Sequence, residues 1–83
     1  MQLVVLTPEK EVYKGEATLV HLQGVDGQFQ IMDKHAPLIA ALSDGLLKIT
    51  NNKEKLSFFI KGGIVEVLNN KVSVLIAGGE VNG

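Results

Sequence analysis

Turn signals break this chain every few residues, and the stretches between them are rich in β-branched and aliphatic side chains. Gln2–Leu6 ends at Thr7-Pro8, Glu11–Lys14 at Gly15, and Glu16–Gln23 at the Gly24–Gly27 turn. Gln28–Met32 ends at Asp33-Lys34, Leu38–Leu42 at Ser43-Asp44-Gly45, and Leu46–Thr50 at Asn51-Asn52. Leu56–Lys61 ends at Gly62-Gly63, Ile64–Leu68 at Asn69-Asn70, and Lys71–Ala77 at Gly78-Gly79. No window of about a dozen residues carries a helical period. The spacing therefore predicts an all-β fold, a small antiparallel β-sandwich of roughly nine to ten short strands. Ala36–Leu42 is ambiguous in composition, but Pro37 and its shortness favour an extended strand.

Alternation assigns the core. Leu47 and Ile49 share a face, as do Leu56, Phe58 and Ile60, and as do Val72, Val74 and Ile76. The opposite faces are not cleanly polar. Phe59 and Leu75 sit at outward parity, Ile64–Leu68 carries aliphatics at both parities, and Leu19-Val20-His21-Leu22 is apolar on both sides. Two readings are open: burial on both sides, or an outward apolar patch that meets a partner.

At 83 residues the chain is one domain, residues 1–83. Its 46% hydrophobic content argues against disorder. Net charge is −1 and every basic residue is lysine, so the arginine-rich basic face of a nucleic-acid reader is missing. Without cysteine there are no disulfides or thiolate metal sites. No apolar run approaches the roughly 20 residues that span a bilayer. The start lacks a basic region followed by a cleavage site, so no signal or transit peptide is expected.

The segment Gly24 through Leu38 is the candidate recognition region. Gly24 and Gly27 bracket Val25-Asp26 and are expected to frame a tight turn through positive φ. Pro37 fixes its own φ and biases Ala36 toward extended backbone. The alternatives here are bland. Asp26, Asp33 and His35 match no metal-site spacing. The glycines lack the Gly-Lys-Ser/Thr close of a phosphate loop. No serine sits in a nucleophile elbow, so no catalytic set is expected. His21 reads as a packed or rim histidine, and Phe29 as a cap on the core.

Five pieces in order resemble the ε subunit of the F-type ATP synthase (δ in mitochondria), specifically its N-terminal β-sandwich domain. They are Leu3-Val4-Val5-Leu6-Thr7-Pro8-Glu9; Val12-Tyr13-Lys14-Gly15-Glu16-Ala17; Gly27 through Ile31 with His35-Ala36-Pro37-Leu38; Leu42 with Gly45-Leu46-Leu47-Lys48-Ile49; and Gly62-Gly63-Ile64-Val65-Glu66-Val67 with Asn70-Lys71-Val72-Ser73-Val74-Leu75. The resemblance implies a non-catalytic central-stalk subunit without cofactor or metal. It would join the γ subunit to the c-ring, peripheral to the bacterial plasma membrane on its cytoplasmic side. By resemblance, Thr7, His35, Ala36, Pro37 and Leu38 face γ, and Asp26, Gly27, Gln28 and Phe29 face the c-ring. A charge at Leu38 or Pro37 is then expected to weaken γ binding and spare the fold. The chain has Gln28 where the family often has an acidic residue, and Gln30 where it often has glycine. Many members continue into a C-terminal helical hairpin that inhibits hydrolysis. This chain stops at Gly83, where the hairpin would begin: as a natural full-length protein it is expected to lack hairpin inhibition, and as a fragment it says nothing about regulation. The competing reading is an independent binding module for a peptide or carbohydrate.

Overall fold

A computed structural model describes residues 1–77 in full and the backbone of 79–82. The described chain is all strand: β1 (Gln2–Leu6), β2 (Glu11–Glu16), β3 (Leu19–Gly24), β4 (Gly27–Met32), β5 (Leu38–Leu42), β6 (Gly45–Asn51), β7 (Glu54–Ile60), β8 (Gly63–Leu68), β9 (Lys71–Leu75) and β10 (Gly79–Asn82). The expected class holds. Gly78 and Gly83, which bounded the last expected segment, lie outside the described residues.

The strands form one curled path, β10-β7-β6-β3-β5-β8-β9-β1-β2, with β4 paired to the other flank of β3. Strand β3 is the corner. Its Leu19–His21 stretch pairs with β6, and its Gly24 reaches Leu42 of β5. The path thus folds into two halves that share one core. Every described pairing is antiparallel except β1 with β9, which run parallel. That pair arises because β1 inserts between β2 and β9, and the route from β1 to β9 spans most of the chain.

Alternation dictates the core as expected. Leu3 and Val5 of β1, Val65 and Val67 of β8, and Val72 and Val74 of β9 are buried on one half. Val20 and Leu22 of β3, Leu47 and Ile49 of β6, and Phe58 and Ile60 of β7 are buried on the other. Tyr13 of β2 meets Phe58 edge to face, with ring centroids 6.5 Å apart, and so ties the two halves together. No polar or charged described residue is fully buried. The β8–β9 turn uses Asn69 and Asn70 at φ 51° and 62°, the left-handed pair that a two-residue hairpin needs to match strand twist. Among the described residues, no helix is long and apolar enough to cross a membrane.

Candidate functional site

The turn that carries His35 is built by contacts remote in sequence. The His35 N–H donates to the Met32 carbonyl at 3.1 Å, and Lys34 takes φ 64°. A left-handed lysine is costly unless its neighbours hold it. Here Asn70 does so: its Oδ1 accepts from the Lys34 N–H at 2.7 Å, and its Nδ2 donates to Asp33 Oδ1 at 2.9 Å. Asp33 Oδ1 also accepts from the Met1 ammonium at 2.8 Å, and that ammonium donates to the Ala17 carbonyl at 3.0 Å. The hydrogen bond from the ammonium, followed by that from Asn70, holds the Asp33 carboxyl below its ordinary value. The Asp33 bond in turn raises the amine, against the opposing effect of desolvation. The Asp33 side chain is 58% exposed, so solvent weakens the pair, and it serves to place the turn.

Beyond this turn the expected γ-facing residues diverge in character. His35 is half-buried, and its Nδ1 lies 2.7 Å from the Ala36 carbonyl. Ala36 and Pro37 are exposed. Leu38 is half-buried and packs against the core, so a charge placed there reaches the interior as well as the surface. Its neighbour Ile39 is 72% exposed. Pro37, Leu38 and Ile39 line a shallow groove with Glu66, Val67 and Leu68.

Thr7 does not join this cluster. It closes the β1–β2 turn: its Oγ1 accepts from the Glu9 and Lys10 amides at 3.2 and 3.1 Å. Register sets Leu38 level with Val67, Val72 and Leu3, whereas Thr7 follows Leu6, at the other end of the sheet and three strands away. What lies between is apolar. Ala41, Ile64, Leu75 and Leu6 are direct cross-strand neighbours on β5, β8, β9 and β1. Ile64 and Leu75 are 49% and 51% exposed, and with Ile39 and Leu68 they form an apolar patch on the outer face of this half, around the exposed Glu66. The outward aliphatics at Ile64 and Leu75 are therefore a patch and not a second core. Alternation had flagged them; Ile39 was masked by its proximity to Pro37.

The expected ring-facing residues lie on the β3–β4 hairpin, whose tip is Val25-Asp26 between paired Gly24 and Gly27. Gly27 takes φ 126°, as expected. Gly24 needs no positive φ; a Cβ there would stand 2.9 Å from both the Gly27 carbonyl oxygen and the Phe29 ring. Phe29 thus lies over Gly24, half-buried and packed on the core. Asp26 and Gln28 are exposed, and Gln28 Oε1 lies 3.1 Å from His21 Nε2. Gln30 sits in regular β4 pairing opposite His21, so the site tolerates a side chain. Val25, 61% exposed at the tip, is a contact candidate that turn chemistry alone did not reveal. Among the described residues, no group of three or more His, Asp or Glu is placed to hold a metal ion.

Residues 1–80 match the model of the family described as ATP synthase, Delta/Epsilon chain, beta-sandwich domain. The ATP synthase epsilon chain of Chlorobium limicola is 45% identical over 75 residues, covering 89% of this chain and 85% of that one. That of Desulforudis audaxviator is 41% identical over 71 residues, covering 86% of this chain but only 52% of that one. In fold, this chain superposes with a TM-score of 0.89 on a chain of the Euglena gracilis mitochondrial ATP synthase (OSCP/F1/c-ring), at 17% identity over 95% of this chain and 51% of that chain. It superposes with a TM-score of 0.82 on a chain of the Tetrahymena thermophila mitochondrial ATP synthase central stalk and c-ring, at 20% identity over 94% and 63% of the two chains.

Proposed function

Since this chain belongs to the family of the ATP synthase delta/epsilon chain β-sandwich domain, we propose that it is a non-catalytic rotor element. It joins the γ subunit to the c-ring of a rotary ATP synthase, so that proton-driven rotation is coupled to ATP synthesis. It sits peripherally on the cytoplasmic side of the bacterial plasma membrane. The relatives are named as epsilon chains, and the fold neighbours come from assemblies that hold a c-ring.

The observation that carries the reading is the outer apolar row Ala41–Ile64–Leu75–Leu6 with Ile39 beside it. An isolated antiparallel sheet keeps its solvent face polar, and a face this apolar gains by being covered. It also links the two separated groups, Thr7 at one end and His35–Leu38 at the other, into one γ-facing surface. The hairpin tip Val25–Gln28, with Phe29 wedged behind it, is a second contact surface and faces the ring. Torque transfer needs a stiff body between two contacts, and a closed sheet with a close-packed core supplies it.

The test is calorimetric titration of the purified chain against purified γ subunit. One-to-one binding with a negative heat-capacity change is expected, the mark of apolar burial. Ile39→Lys should weaken it by at least about tenfold, or ~1.4 kcal/mol, with the thermal unfolding midpoint held because Ile39 lies outside the core and the new ammonium stands opposite Glu66. Absence of binding between folded partners, or an Ile39→Lys variant that binds normally, refutes the assignment.

A further inference from the structure

The outer face of the other half has a different chemistry. Register sets His21 beside Lys48 and Lys48 beside Ser57; it sets Leu19 beside Thr50 and Thr50 beside Lys55. Lys48 and Lys55 are therefore diagonal neighbours on β6 and β7, about 7–8 Å apart at the backbone. Both line a half-open cleft of about 450 Å³, with His21, Thr50 and Ser57 on its walls and Leu19 at one side. That volume lies within the usual range for small-ligand sites.

Two observations give the cleft a sign. Neither Lys48 nor Lys55 takes part in any of the ion pairs formed among the described residues, which all involve the Met1 ammonium. Glu54 is exposed next to Lys55 in β7 but at the other parity, and Glu80 of β10 is set beside Phe59, so no carboxylate is a direct cross-strand neighbour of Lys48 or Lys55. Like charges on neighbouring strand positions repel. An anion in the cleft relieves the repulsion.

We infer that this cleft binds a small phosphate-bearing anion. Two ammonium groups supply a charge of about +2, and the Thr50 hydroxyl adds a donor, a set that suits an anion with several acceptor oxygens. The phosphate comes from solution and not from a lipid headgroup. The β6–β7 turn next to Lys55 lies at the opposite end of the sheet from the Val25-Asp26 tip, because Thr50 pairs with Leu19 and β3 runs from there to Gly24. This choice of source rests on the ring-facing reading of the tip; the cleft itself does not.

The experiment is an amide NMR titration of the purified chain with sodium pyrophosphate at constant ionic strength, with no γ subunit present, so that its failure is separate from any failure of the rotor reading. Saturable shifts confined to His21, Lys48, Thr50, Lys55 and their neighbours are expected. A folded Lys48→Gln/Lys55→Gln variant should bind at least about tenfold more weakly. Shifts that do not saturate, that spread over all the lysines, or that persist in the variant overturn the proposal. In a parallel sedimentation assay with phosphatidic acid/phosphatidylcholine vesicles, no lysine-dependent binding is expected. Lysine-dependent vesicle binding without a pyrophosphate response overturns the solution source.

Discussion

Asp33 shows how one carboxylate can organise a surface while lying mostly in solvent. It joins the Met1 ammonium, Asn70 and the left-handed Lys34 into one turn. Its folded-state value lies below the ordinary 3.8. A depressed carboxyl contributes stability that is fully present above its unfolded value and is lost as pH falls through the folded one. Asp33→Asn should therefore lower the unfolding midpoint at neutral pH, and the two proteins should converge in strong acid. Thermal melts across the acid range check this; a gap that stays constant with pH sinks the idea. The turn was legible in the sequence at Asp33-Lys34, but the contacts that hold it were not. Asp33 and Asn70 stand 37 positions apart, and only the fold brings them together. The same holds for Leu38 and Ile39. Local pattern marked the Pro37 region as a contact, but only burial shows that Leu38 packs inward and that Ile39 is the exposed member.

Among the strands, β8 depends most on a single position. Gly63 takes φ 145°, and a Cβ there would lie 2.3 Å from the Leu75 carbonyl oxygen. Backbone cannot yield as a flexible side chain can, so β8 and β9 must part to admit a methyl group. Gly63→Ala should cost about 3 kcal/mol or more, measured as a shift in the denaturant midpoint at unchanged slope. A loss below about 1 kcal/mol, the ordinary glycine-to-alanine scale, would show that the strands adapt. Strand existence and inward parity were legible because a period of two is a local property of sequence. The dipeptide Gly62-Gly63 was legible as a turn. Strand order was not, because pairing partners are set by packing across the whole chain. The parallel β1–β9 pair is the plainest case, since nothing within Gln2–Leu6 or Lys71–Leu75 specifies its partner.

For the whole molecule, size sets the tolerance. A core this small supplies only about 3–5 kcal/mol of net stability. Removing a buried phenylalanine ring costs about 3–5 kcal/mol. Phe58, 2% exposed and in edge contact with Tyr13, bridges both halves. Phe58→Ala should therefore leave the isolated chain largely unfolded at room temperature by circular dichroism, and binding to γ should restore part of the folded population by mass action. A variant that remains cooperatively folded alone would show that the core holds more reserve than its size suggests. Here too the sequence was informative in part: it marked Phe58 as inward, but not that Tyr13, from the other half, rests on it.

The parallel pairing of β1 with β9 has a consequence for the order of assembly. A chain made from its N-terminus emerges from the ribosome with β1 first, yet one flank of β1 has no partner until Lys71–Leu75 has followed. The β1–β2 and β3–β4 hairpins can close early, being local. Closure of the half that contains β1 must wait for β9, and such contact order makes folding slow. During that interval Leu3 and Val5, fully buried in the finished protein, are without their cover from β9. The nascent chain thus exposes a sticky strand edge until Lys71–Leu75 has emerged, and that is when a chaperone would have the greatest effect on its yield.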